Sequence, residues 1–123
     1  MLKLLSALAV TAVGLSPLQA SAASCTQASY YGTPIDGYGY EGGKLITSNG
    51  ERFLPHGLTT AHKSLPFGTK LRVTNQTNGK SVVVRVTDRG PFVYGRGLDL
   101  SYGAFSKIAP TSRGVVGVCY DVV

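Results

Sequence analysis

Thr69-Lys70-Leu71-Arg72-Val73-Thr74, then Asn78-Gly79, then Ser81-Val82-Val83-Val84-Arg85-Val86-Thr87 is the stretch that decides the fold. Alternate side chains of a strand face opposite ways, so Leu71 and Val73 share one face and Lys70 and Arg72 the other. Asn-Gly is a strong turn signal, and the returning run places Val82, Val84 and Val86 inward. The reading is a hairpin with one apolar face. Its second strand runs straight into Thr87-Asp88-Arg89-Gly90-Pro91. A carboxylate in a Gly-Pro turn at a strand end sits at the rim of a sheet, rigidly placed yet open to a ligand. Acid/base chemistry on a polymer needs such a group. Asp also braces turns by accepting from nearby backbone N–H groups, and the pentapeptide alone favours that simpler role; its neighbours shift the balance.

Outward from the hairpin, Ala28-Ser29-Tyr30-Tyr31-Gly32 reads as a first strand, and Asn49-Gly50 as a turn. Pro34 to Asn49 is rich in Gly and Tyr and reads as a surface loop. Tyr38 and Tyr40 there could line a sugar site or pack the loop; the two readings stay open. Beyond the Asp88 turn, Ser101 is placed to cap a short helix through Ile108, with Pro110 past its end. Gly114 to Val123 closes the chain as a strand carrying Cys119. With 16 glycines and no sustained helical periodicity, the content is all-β with one short helix. A closed barrel is the natural answer to the edges that short strands expose. No internal repeat is evident.

The N-terminal segment reads differently. Met1-Leu2-Lys3 is a short positive start, Leu4 to Leu15 is nearly all apolar, and Leu18-Gln19-Ala20-Ser21-Ala22-Ala23 offers small residues for cleavage. The apolar run is too short to span a bilayer and has the flanks of a secretory signal. Cleavage is expected after Ala20, Ala22 or Ala23, dividing the chain into a leader, 1–23, and one folded domain, 24–123. In an oxidising compartment, the first reading of Cys25 and Cys119 is a disulfide joining the ends. Closing so long a loop contributes about 4 kcal/mol in the chain-entropy picture. The competing reading is lipidation at Cys25, against which Ala22 stands where lipoprotein signals carry a large aliphatic residue. The cysteines and the two histidines lack close ligand spacing, so no metal is expected, and no cofactor. Net charge is +6, or +5 once Lys3 leaves with the leader. The basic residues are dispersed, as on a solvated face, and the acidic partners of an exported protein are wall polymers and anionic lipid surfaces rather than nucleic acid.

Four blocks stand in order: Ala28-Ser29-Tyr30-Tyr31-Gly32; Asn49-Gly50-Glu51-Arg52-Phe53; Leu58-Thr59-Thr60-Ala61-His62 through Thr69; and Val82 to Pro91 with Asp99-Leu100-Ser101. Together they resemble the rare lipoprotein A (RlpA) family across essentially the whole mature chain. The resemblance implies a six-stranded double-psi β-barrel and a lytic transglycosylase that cleaves peptidoglycan glycan strands, favouring strands stripped of peptide. It places active-site residues on Glu51, His62 and Asp88. Related double-psi barrels, expansins and the MltA transglycosylases among them, imply a further role for Asp99, which otherwise braces a turn or the helix start. The chain departs from the family in reading Thr-Thr-Ala-His, in a longer loop between Gly32 and Asn49, and in showing no C-terminal peptidoglycan-binding repeat. His56, Arg89 and Arg96 stand as further substrate contacts, beside Tyr38 and Tyr40.

The chemistry such a site must perform can be stated independently. Cleaving a MurNAc–GlcNAc bond without water needs a general acid for the leaving oxygen. The same group, then a base, takes the proton of the muramoyl six-position hydroxyl and leaves a 1,6-anhydro end. A second polar group orients substrate or stabilises oxocarbenium character. Asp88 and Glu51 form the first pair to consider, and the sequence does not assign their roles. Two rivals remain: a non-catalytic, expansin-like wall-binding module, and a secreted protein-binding or protease-inhibitory barrel. The expected partner is peptidoglycan glycan, met by a monomer without a membrane-spanning segment, in the periplasm or at the wall outside the cell.

Overall fold

The alternating runs fold as the predicted hairpin: β5 (Lys70–Asn75) pairs antiparallel with β6 (Ser81–Asp88), Leu71 opposite Val84 and Val73 opposite Val82. Leu71, Val73, Val82, Val84 and Val86 are all buried, as the period-two pattern requires. The connection is longer than the Asn78-Gly79 pair alone. The Asn75 N–H donates to the Lys80 carbonyl and the Gly79 N–H to the Asn75 carbonyl, with Gly79 in the left-handed region at φ 76°. The computed structural model describes residues 23–32, 40–41 and 44–123. Residues 1–22, hence nearly all of the expected leader, and Tyr38 lie outside them; Tyr40 is placed only within the backbone of a short ribbon.

That ribbon pairs β2 (Tyr40–Glu41) with β3 (Lys44–Leu45). The other strands are β1 (Ser24–Tyr31), β4 (Thr59–Ala61), β7 (Arg96–Ser101) and β8 (Val116–Val122). Six of them close into a barrel in the order β1-β7-β4-β6-β5-β8. Two neighbouring pairs, β1 with β7 and β4 with β6, run parallel; the rest are antiparallel. Two sequence expectations change here. The first strand starts at Ser24 rather than Ala28, because β1 serves two partners: its first half pairs with β8 and its second with β7. Asp99 lies inside strand β7 rather than in a turn or at the helix start.

Cys25 faces Cys119 directly across the β1/β8 ladder, and the two form a disulfide. A disulfide of this kind belongs to an oxidising, extracytoplasmic environment. One helix, α1 (Tyr102–Ile108), follows β7; the Ser101 hydroxyl accepts from the Ala104 N–H, so the predicted cap is formed. Its far end is held by Asn75 and Asn78, whose side-chain amides both donate to the Ile108 carbonyl. Phe105 and Ile108 plug the barrel against Leu98, Leu100 and Val118, all without solvent exposure. Burying a side chain such as Phe105 stabilises the fold by about 1.5–3 kcal/mol. Among the described residues no helix is long and apolar enough to cross a membrane.

Candidate active site

Strand β4 lies between β6 and β7, and its last residue, Ala61, is the register partner of both Asp88 and Asp99. Partners across a ladder project to the same side, so the two carboxyl groups flank a methyl group two strand spacings apart, about 9–10 Å between their Cα atoms. The small side chain leaves room between them. Tyr31, Ala61, Asp88, Arg89 and Asp99 line a cavity of about 290 Å³. Asp88 and Asp99, named from different parts of the sequence, are thus brought together.

Their surroundings differ. Asp88 accepts from many donors: the Tyr31 hydroxyl at 3.1 Å on Oδ2, and on Oδ1 the N–H groups of Ser48 and Arg89, both at 3.0 Å, and the Ser48 hydroxyl. Asp99 accepts from the Ser29 hydroxyl at 2.9 Å. Burial raises the Asp99 pKa above the ordinary carboxylate value; the Ser29 bond and Arg96 oppose this, and Asp88 adds to it. The Tyr31 phenol is driven far up by burial and by the Asp88 charge, so it stays a donor throughout the physiological range. Its ring stacks on Phe53 with centroids 5.0 Å apart. Gly32 makes room for that ring, since a Cβ on Gly32 would stand 2.3 Å from Phe53 Cε2.

Glu51 is not in this cavity. It takes two N–H···O bonds from Arg85 of β6, at 2.6 and 2.8 Å, and one from the Asn49 amide at 2.7 Å. These donors hold its pKa down at about 2, with Arg85 the largest cause. With Arg85, Thr47, Phe53, Thr59 and Thr87, it borders a neighbouring cavity of about 280 Å³. The His62 backbone touches the site, its N–H donating to the Asp88 carbonyl at 3.1 Å. The ring, however, is engaged elsewhere. Nδ1 accepts from the N–H groups of Ser64 and Leu65, both at 3.0 Å, and Nε2 meets the Tyr120 hydroxyl at 3.1 Å. Accepting at Nδ1 requires the neutral ring with its proton on Nε2. Burial, followed by Arg89 and Lys63, lowers its pKa in agreement. The structure therefore does not converge the ring of His62, the carboxylate of Glu51 and that of Asp88 on one point.

Arg89 lines the cavity, with its guanidinium 4.0 Å above the centre of the Phe67 ring and Nη1 donating to the His62 carbonyl at 3.2 Å. Arg96 lies on a broader groove with Thr26, Gln27, Lys63 and Gln76, and its charge reaches Asp99. His56 is exposed and set edge-on to Tyr102, its backbone packed so close to Gly103 that a Cβ there would meet it at 2.7 Å. Among the described residues no group of three or more His, Cys, Asp or Glu side chains could hold a metal ion. Three site residues escaped the sequence reading: Tyr31, Ser29 and Ser48. The first two lay inside a quoted block, and the β1/β7 register, Ser29 beside Asp99 and Tyr31 beside Ser101, is what carries them to the site.

A closed barrel with two parallel strand pairs, its rim carrying an opposed carboxyl pair around a small residue, is a double-psi β-barrel with the parts of an acid/base site. The chain belongs to the lytic transglycolase family, whose model matches residues 23–120. It is 52% identical over 96 residues to a Synechocystis sp. protein named probable endolytic peptidoglycan transglycosylase RlpA, covering 78% of this chain and 28% of that one. It is 45% identical over 97 residues to the endolytic peptidoglycan transglycosylase RlpA of Vibrio cholerae, covering 79% and 34%. The chain thus spans about a third or less of the length of these curated relatives. Among solved structures, a Streptomyces papain inhibitor superposes with a TM-score of 0.62 at 25% identity, covering 82% of this chain and 94% of that one.

Proposed function

We propose that this domain is an exported lytic transglycosylase that cleaves MurNAc–GlcNAc bonds of peptidoglycan glycan strands and leaves 1,6-anhydromuramoyl ends. The observation that carries the reading is the unequal carboxyl pair about Ala61: a half-buried Asp99 with a raised pKa opposite an Asp88 that accepts from every side. Asp99 holds the proton and passes it to the leaving glycosidic oxygen. As a carboxylate it then takes the proton of the muramoyl six-position hydroxyl, whose oxygen closes on the anomeric carbon, and the acid is regenerated without water. Asp88, fixed by Tyr31, Ser48 and the Arg89 N–H, holds negative charge toward the developing oxocarbenium ion. Arg89 and Arg96 are the cationic contacts nearest the pair, and His62 keeps the rim segment after β4 in place. The site acts as a monomer, outside the cytoplasm.

Digestion of peptide-stripped glycan, with mass analysis of products made in heavy-oxygen water, tests this directly. Anhydro ends without label are the expected result; labelled reducing ends would establish hydrolysis instead. Intact glycan that sediments with the protein would leave a wall-binding module. A protein-binding reading draws on the likeness to the papain inhibitor over 94% of that chain and on the exposed Phe92, Val93 and Tyr94. Inhibition of papain, together with uncleaved glycan, would replace the enzyme reading with that one.

A further inference from the structure

A single run of contacts joins the Glu51 ion pair to the Asp88 carboxylate. Arg85, on the same strand as Asp88, grips both oxygens of Glu51. Glu51 Oε2 also accepts from the Asn49 side-chain amide at 2.7 Å, while Asn49 Oδ1 accepts from the Glu51 N–H at 3.1 Å. The Asn49 backbone N–H in turn donates to the Thr87 carbonyl at 3.2 Å, the residue before Asp88. Between Thr47 and Glu51 the chain closes a tight turn, the Gly50 N–H donating to the Thr47 carbonyl at 2.9 Å and the Thr47 N–H to the Glu51 carbonyl at 2.9 Å. At the tip of that turn stands Ser48, which directs both its N–H and its hydroxyl onto Asp88 Oδ1.

We infer that Glu51 serves the reaction as a positioning residue: its carboxylate, clamped by Arg85 and Asn49, seats the 47–51 turn so that Ser48 fixes the orientation of Asp88. The inference rests on the cleavage reading for its consequence and on geometry alone for the clamp. Glu51 lies in the neighbouring cavity rather than between Asp88 and Asp99, and both of its oxygens are already occupied by donors. Three donors are spent on it inside the clamp, two of them on Oε2, so its charge is committed to Arg85 and Asn49. A rigid turn that offers two donors to one carboxylate oxygen is how a site keeps a charged group in one rotamer without help from the substrate.

Paired variants and two readouts test the inference. The first readout, independent of activity, is the Ser48 amide in nitrogen-15 spectra of the whole chain. In Glu51→Gln and in Arg85→Met its hydrogen-bonded proton shift and its protection from exchange should both be lost, while the β5 and β6 amides keep theirs. The second is kinetics on stripped glycan. Each variant should lower kcat by about ten- to a hundredfold with KM nearly unchanged, as loss of one charge-assisted contact at a catalytic group implies. Because both act through the same turn, the double variant should be no worse than either single one. Arg85→Lys, which keeps the charge and a single contact, should recover most of the rate. An unchanged Ser48 amide in Glu51→Gln would overturn the inference. So would a fully active Arg85→Met beside an inactive Glu51→Gln, since Glu51 would then react in its own right. If the unmodified chain cleaves no glycan, the cleavage reading fails, and the Ser48 amide still decides whether the clamp seats Asp88.

Discussion

Asp99 and Glu51 are carboxyl groups on the rim of one small barrel, and their surroundings drive them in opposite directions. Asp99 sits half-buried with a single hydroxyl donor and a second carboxylate across Ala61, and its pKa rises. Glu51 meets a guanidinium squarely on both oxygens, and its pKa is held at about 2. Burial without a bound counter-charge makes a proton carrier; a bidentate cation makes a permanent anion. Residue type and motif membership do not distinguish the two. Their partners do.

The sharpest way to break this contrast is to remove the group proposed to carry the proton. Asp99→Asn keeps the shape and the Ser29 contact but is expected to lower release of anhydro ends by about a thousandfold. A rate within tenfold of the unmodified chain would take Asp99 out of proton transfer. The same substitution carries an opposite stability effect. A raised folded pKa means that Asp99 favours the fold below its ordinary value of 3.8 and loses that contribution as pH rises through the folded pKa. Asp99→Asn should therefore raise Tm at pH 7 and leave it nearly unchanged at pH 3, as read by calorimetry. A lower Tm at pH 7 would show that the carboxylate is comfortably solvated.

Next in size is Ala61. Val at this position adds two methyl groups between the carboxyl pair, and kcat/KM is expected to fall by about ten- to a hundredfold through misplaced substrate. Ala61 is buried but lines the cavity rather than the core cluster, so the stability cost should stay at the low end of overpacking, about 1 kcal/mol. Equal losses in activity and stability would mean that Ala61 packs the core rather than the cleft. His62→Ala is expected to cost about 1 kcal/mol, chiefly by removing the acceptor of the part-buried Leu65 N–H, since the exposed Ser64 N–H turns to water. Its lowered pKa makes that contribution present above the ordinary 6.5 and lost as pH falls through the folded value. The gap in Tm between His62→Ala and the unmodified chain should therefore narrow in acid.

The smallest effect on stability is expected at the other carboxyl group. Glu51 and Arg85 are each about two-fifths exposed, so solvent screens their pairing. The stabilisation is present above the ordinary carboxylate value of 4.5 and is lost as pH falls toward 2. Acid unfolding of Arg85→Met should thus begin at a slightly higher pH than that of the unmodified chain. Identical acid curves would place the ion pair outside the stability of the fold altogether.

How much of this could be read from the chain alone depended on the reach of each contact. The β5/β6 hairpin was legible because alternation and turn chemistry act between near neighbours. Ser101 as a helix cap and Asn49-Gly50 as a turn were legible for the same reason. Asp88 at a strand end was visible in its own pentapeptide, and the family motifs added Asp99. Tyr31 and Ser48 reach Asp88 only because parallel pairing and a folded-back turn carry them across 57 and 40 residues. No periodicity encodes such an approach. The Glu51–Arg85 pair was hidden likewise: the sequence set Glu51 with Asp88 as the first pair to consider, while its partner stands 34 residues away on β6.

The ring order of the strands also governs how the molecule comes into being. β1 is the first strand along the chain, yet both of its neighbours, β7 and β8, are among the last, and Cys25 waits for a partner 94 residues on. The ring cannot close on a partial chain, since a missing strand leaves two open edges and an unfilled interior. Most pairings here are between distant segments, which places folding in the slow class, about milliseconds to seconds. A chain that can finish its barrel only when all of it is present is well suited to being threaded through a membrane first and folded afterwards.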